Sequence, residues 1–110
     1  MAQHLLDEGY EDAAAVIAGS SLEAHLKQLC QKNNIDTETT VSSRIEPKKA
    51  DLINSELTKA EAYTKLDQKS ITAWLDLRNK AAHGKYEEYS KEQVSIMISG
   101  IRGFLTRNPA

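Results

Sequence analysis

The chain has 110 residues, a length that suits a single domain. Apolar residues make up 40% and charged residues 27%, as in an ordinary globular domain, while aromatics at 5% argue against a single-strand binder built on stacked rings. Fourteen basic and 16 acidic side chains leave a net charge of -2, so any contact with a polyanion must come from a local patch. A lone cysteine, Cys30, excludes an intramolecular disulfide framework and suits a reducing compartment. No apolar run reaches the roughly 18 residues of a membrane span. The small apolar run Ala13 to Gly19 follows Asp7, Glu8, Glu11 and Asp12, the wrong charge for a signal peptide. The expected location is the cytoplasm.

Two prolines and many Ala, Leu, Lys, Glu and Gln residues bias the chain toward helix. Met1 to Glu8 reads as a short helical stretch stopped by Gly9. Its start carries no capping signal, so residues 1–110 are read as one helical domain that could also sit at the C-terminal end of a longer protein. A second helix is predicted from about Glu11 to Asn33, where Ala15, Ala18, Leu22, Leu26 and Leu29 recur at three- and four-residue steps. Thr37 to Glu46 is polar and is read as a loop in preference to a short strand at Thr39 to Val41. Pro47 suits the first turn of a third helix reaching about Ala62, with Leu52, Ile53, Leu57 and Ala60 inward. Asp67 or Ser70 would cap a fourth helix containing Ile71, Trp74, Leu75 and Arg78, with Gly84 as its stop. Ser90-Lys91-Glu92-Gln93 fits a capping box before a last helix that places Val94, Met97, Ile98, Ile101, Phe104 and Leu105 on one face. The expected architecture is an all-α up-and-down bundle of four to five helices.

Gly19, Gly100 and Gly103 each cost about 1 kcal/mol inside a helix relative to Ala, which points to close approach between packed helices. Cys30 lies near the apolar stripe of the second helix and reads as a small hydrophobe. His4 is expected in solvent, and His25 beside Leu22 and Leu29 as a packed or bridging side chain. No paired C-x-x-C, H-E-x-x-H, EF-hand loop or glycine-rich phosphate loop is present, so no metal site or cofactor is expected.

The densest cationic stretch is Arg78 to Lys85, which holds Arg78, Lys80, His83 and Lys85 and no acid. It combines a titratable proton carrier, a fork-shaped cation and an amide, the parts a phosphodiester-cleaving site needs when it uses no metal. Helix ends also favour Lys and His in their last turn for electrostatic reasons alone. Five residues along a helix leave Arg78 and His83 about 140° apart in rotation and about 7.5 Å apart along the axis. Convergence on one phosphate therefore needs the helix to end or bend near Gly84, or a second copy of the chain.

Arg78-Asn79-x-x-x-His83 resembles the arginine, adjacent polar residue and histidine of the HEPN superfamily, small helical nucleotide-binding domains. Trp74-Leu75-Asp76-Leu77, the exit Gly84-Lys85-Tyr86 and the Ala-rich helix around Leu22 to Leu29 are similar to that family's helices. The resemblance spans about Leu5 to Leu105. It implies a homodimeric bundle with the motif at the dimer cleft and a metal-independent endoribonuclease of toxin, RNA-processing or defence type. Arg78, Asn79 and His83 would then be catalytic, with Lys80 and Lys85 as contacts to the RNA backbone. Other family members bind nucleotides or RNA without cutting, and some occur beside a nucleotidyltransferase-type antitoxin. Glu23 is either the partner that holds Arg78 or a solvated side chain. A plain helical dimerisation or interaction domain is the remaining alternative, motivated by the small residues Gly19, Gly100 and Gly103.

Overall fold

Helix α1 (Ala2–Asp7) is followed by the long helix α2 (Glu11–Lys32) in a computed structural model that describes residues 1–110. A β-hairpin, β1 (Glu38–Val41) and β2 (Arg44–Pro47), leads into helix α3 (Ala50–Lys59). Helix α4 (Lys65–Ala82), a single 3-10 turn at Tyr86–Glu88 and helix α5 (Lys91–Arg107) complete the chain. The fold is a mostly helical bundle of five helices with a two-stranded sheet beside it.

The apolar stripe of α2 organises the bundle. Ala14, Ala15, Ala18, Leu22, Leu26 and Leu29 are buried, and α2 touches all four other helices. Ile53 and Leu57 from α3, Ile71 and Leu75 from α4, and Val94, Met97, Ile98, Ile101 and Phe104 from α5 close over it as one core. Small side chains on α2 set how near its neighbours come. A Cβ built on Gly19 would lie 2.6 Å from Cβ of Arg78 on α4. One built on Gly100 of α5 would meet the Trp74 indole, with Cε2 at 3.0 Å. Both glycines therefore mark close helix approaches. Gly103 differs, because its nearest atom is a terminal nitrogen of Arg107 from its own helix, at 3.2 Å.

Four helices end in the same way. After α1, α2, α3 and α4 the chain turns through a positive φ at Gly9 (88°), Asn34 (58°), Glu61 (60°) and Gly84 (73°). In each case the next amide reaches back to a helical carbonyl: Tyr10 to Leu5, Ile35 to Cys30, Ala62 to Leu57 and Lys85 to Lys80. These paired return bonds are Schellman caps. Gly and Asn announce three of them. Glu61 does not, and α3 accordingly stops at Lys59 where the sequence pattern ran on to about Ala62.

Other boundaries are corrected too. Thr37 to Glu46 is not a loop, because β1 and β2 pair antiparallel with Thr40 opposite Ile45 and Val41 opposite Arg44. The turn residues Ser42 and Ser43 have φ of 50° and 66°, the double positive conformation of a tight hairpin that Asn-Gly would normally announce. Neither strand has a buried face, so no apolar alternation marks them; Ile45 is 72% exposed. Pro47 ends β2 and does not open α3. Leu52 and Ala60 are exposed, while the polar Asn54 takes a buried place on α3. Thr64, not Asp67 or Ser70, caps α4, its hydroxyl accepting the Asp67 amide at 3.2 Å. The capping box of α5 forms as the sequence requires, with Ser90 and Gln93 bonded reciprocally.

Asn54 is buried at the centre of a polar network. Its side-chain nitrogen donates to the Gln68 carbonyl (3.1 Å) and the Thr72 hydroxyl (3.2 Å), and its Oδ1 accepts the Tyr63 hydroxyl. Tyr63 packs edge-on against Phe104 with ring centroids 5.2 Å apart. Burial of that phenol raises its pKa well above the ordinary value. Nothing in the sequence marks this network, whose members come from α3, α4 and the connection between them.

Candidate functional site

The motif lies along the last two turns of α4. Arg78 is on the side that packs against α2, where Gly19 lets its stem in close. Its guanidinium forms a two-pronged ion pair with Glu23 of α2, Nη1 to Oε2 at 2.8 Å and Nη2 to Oε1 at 3.0 Å. Nε donates to Asn79 Oδ1 at 3.1 Å. The side chains of Arg78 and Glu23 are 18% and 30% exposed, so the pair is partly withdrawn from water. The open alternative for Glu23 thus resolves to partner rather than solvated residue. Three of the five guanidinium donors are engaged, and one N–H on each terminal nitrogen remains.

His83 caps the C-terminus of α4, with φ of -97° and ψ of 13°, and its amide bonds the Asn79 carbonyl. The imidazole is exposed and has no side-chain hydrogen bond. It occupies the end of a helix whose free carbonyls favour a cation. Asn79 stands between the two motif ends: its side chain holds Arg78, and its backbone holds the turn that carries His83. Within one chain, Arg78 points toward α2 while His83 projects from the helix end into solvent. The helix ends at Ala82, His83 is its C-terminal cap, and the chain turns at Gly84 through a φ of 73°.

The flanking lysines differ. Lys80 is paired with Asp76, one turn earlier, at 3.1 Å. Asp76 falls just outside the acid-free stretch, so sequence order concealed a partner that helical periodicity supplies. Lys85 is exposed, forms no ion pair and precedes the 3-10 turn.

Of the other histidines and the cysteine, His25 and Cys30 have structural roles. His25 Nε2 meets the Asn108 carbonyl at 2.6 Å and the ring stands edge-on to Phe104, the bridging role expected of it. His4 is exposed. Cys30 is fully buried, and burial raises the pKa of its thiol, which suits a packing residue and not a nucleophile. No helix is long and apolar enough to cross a membrane.

A second cationic group escaped the sequence reading. Lys27, Lys48 and Lys49 line a cleft bounded on one side by Glu23. The adjacent pair Lys48-Lys49 was its visible signal, masked by assigning Pro47 and the residues after it to a helix. Comparison of the chain with family models, with curated proteins and with solved structures returns no significant match to any of the three.

Proposed function

We propose that the chain is a HEPN-like endoribonuclease that works without a metal, as a homodimer whose two copies pool Arg78, Asn79 and His83. The carrying observation is the division of labour on α4. Glu23 and Asn79 hold Arg78 in a fixed orientation with two donors spare, while His83 stands unpartnered at the helix end. Preorganised donors suit the charge of a phosphorane, and a solvent-facing imidazole suits proton transfer. The RNA 2′-oxygen would attack the adjacent phosphorus as His83 takes its proton. The bond to the 5′-oxygen then breaks, His83 returns the proton to that leaving oxygen, and a 2′,3′-cyclic phosphate remains. Arg78 is held against α2 and His83 is exposed at the helix end, so in this proposal the arginine of one copy serves the histidine of the other, as a two-fold axis near the C-terminus of α4 would allow. Toxin, RNA-processing or defence roles, with or without a nucleotidyltransferase-type antitoxin, follow from the same resemblance; a cytoplasmic location is proposed on the lone cysteine and the charge of the N-terminal segment.

The test is cleavage of single-stranded RNA in EDTA by the wild type, His83→Ala and Arg78→Ala. Loss of cleavage in each variant, with recovery when the two inactive variants are mixed, is the expected result. Equal activity of all three proteins, or an inactive wild type, rejects the reading.

A second reading, a module that binds RNA or nucleotides without cutting, is favoured by one specific observation: three of the Arg78 donors are already occupied. Calorimetry showing ligand binding that weakens on Arg78→Ala, with no cyclic phosphate formed, selects it over the first.

A further inference from the structure

We infer that the cleft between α2, the end of β2 and the start of α3 holds a backbone phosphate of single-stranded RNA, a binding site that adjoins the Arg78–His83 motif through Glu23 and uses other cations. The inference rests on the proposed RNA-directed function. The cleft has a volume of about 250 Å³, and its lining includes Glu23, Lys27, Pro47, Lys48 and Lys49. That is below the size of most sites for whole drug-sized ligands and suits a phosphate with its attached sugar.

The charges in the cleft are arranged to accept an anion. Its one carboxylate, Glu23, is already neutralised by the two-pronged contact with Arg78. Of the three lysines, Lys48 is paired with Glu56 at 2.9 Å and is held close against the protein, its side chain 12% exposed. Lys27 and Lys49 form no salt bridge and are exposed. The Lys48 amide is tied to the Thr37 carbonyl at 2.9 Å, so the hairpin fixes the backbone that presents both neighbouring lysines. Pro47 is the exposed apolar side chain of the lining, above Leu26 and Ile53 of the core. Glu23 lies between the two sites: Arg78 engages it from α4, and the cleft that the lysines line adjoins it. Two unpaired ammonium groups at one opening recognise phosphate as point charges, without sequence preference.

The experiment measures fluorescence anisotropy of a labelled single-stranded oligouridylate bound to the full chain carrying His83→Ala, so that RNA stays intact. Lys27→Ala and Lys49→Ala are then added together. Affinity should fall about tenfold at low salt, and the slope of log affinity against log salt should flatten by about 1.4, at roughly 0.7 per lost contact to a single strand. Both sites are exposed, so an unchanged circular dichroism melt certifies the fold. The control pair Lys65→Ala and Lys69→Ala, exposed lysines of α4 outside the cleft, removes the same charge and should change affinity less than about twofold. Unchanged affinity and slope for the Lys27/Lys49 pair, or an equal loss for the control pair, overturns the site. Binding of inorganic phosphate that is lost on Lys27→Ala/Lys49→Ala, while the RNA affinity of that variant is unchanged, reassigns the cleft to a small free anion and overturns the RNA assignment. If the wild type cleaves RNA but the cleft variants bind normally, only the cleft fails. If the cleft variants lose binding while the wild type cuts nothing, only the cleavage reading fails.

Discussion

Replacing Gly19 with Ala sets two effects of opposite sign against each other. Removing glycine from the interior of α2 gains about 1 kcal/mol of helix propensity. The new methyl, however, would lie 2.6 Å from Arg78 Cβ, where ordinary contact begins near 3.4 Å. Relief requires α2 and α4 to separate by most of an ångström, and Cβ of Arg78 is anchored to the helix backbone and cannot swing away. Overpacking of this kind costs about 1–3 kcal/mol, and the separation also strains the Arg78–Glu23 fork, so the net expectation is a loss of about 1–2 kcal/mol. With a urea slope of about 1–2 kcal/mol/M for a chain this size, the midpoint should fall by about 1 M. Gly103→Ala is the matched control. There the only close atom is the mobile end of Arg107, so the propensity gain should survive as about 1 kcal/mol of added stability. Urea titration of both variants by circular dichroism reads the difference. A Gly19→Ala protein at least as stable as the wild type refutes the close approach of α2 and α4 on which the site depends.

Glu23→Gln leaves the Arg78 charge half-buried with a weaker partner and should cost about 1–2 kcal/mol, less than a fully buried pair because both side chains retain some water contact. A double-mutant cycle with Arg78→Gln, showing that the two losses do not add, checks it. Glu61→Gly relieves a left-handed residue at the end of α3 and should stabilise by about 0.5–1 kcal/mol, seen as a rise of a few degrees in melting temperature. The raised pKa of Tyr63 makes stability depend on alkaline pH. The unfolded phenol ionises near pH 10 and the folded one only at higher pH, so stability is retained below about pH 10 and falls as pH rises beyond it. Tyr63→Phe should be less stable at pH 8, because Asn54 loses a partner, yet show a shallower fall between about pH 9 and 11 in urea midpoints. Identical alkaline slopes for the two proteins would remove Tyr63 as the source.

The candidate site was partly legible in the sequence. Its residue types and their spacing along one helix fixed the rotation between Arg78 and His83 before any tertiary contact was known. The pairing of Arg78 with Glu23 was not fixed, because 55 residues separate them in sequence and only the α2–α4 contact decides which acids come within reach. The partner of Lys80 lay within the same helix and was readable from its period, yet a view limited to the stretch Arg78 to Lys85 excluded Asp76. The cleft lysines were hidden for a different reason. They converge from α2 and the β2–α3 connection, and a cluster of that kind has no single-segment signature.

Local chemistry determined the helices themselves. The apolar stripe of α2, the capping box of α5 and the Gly or Asn stops of three helices are short-range signals, and each appears where it was expected because its bonds close within one or two turns. The tertiary structure decided whatever those signals leave degenerate. It placed positive φ on Ser42, Ser43 and Glu61, which do not favour that conformation intrinsically, and so made a hairpin from a polar stretch and ended α3 early. It buried Asn54 because Tyr63, Gln68 and Thr72 arrive from outside α3 to satisfy it. It also turned Gly19 from a weakness in a helix into the contact that admits Arg78 to Glu23, since the lost propensity is local and the gained packing exists only when two helices meet.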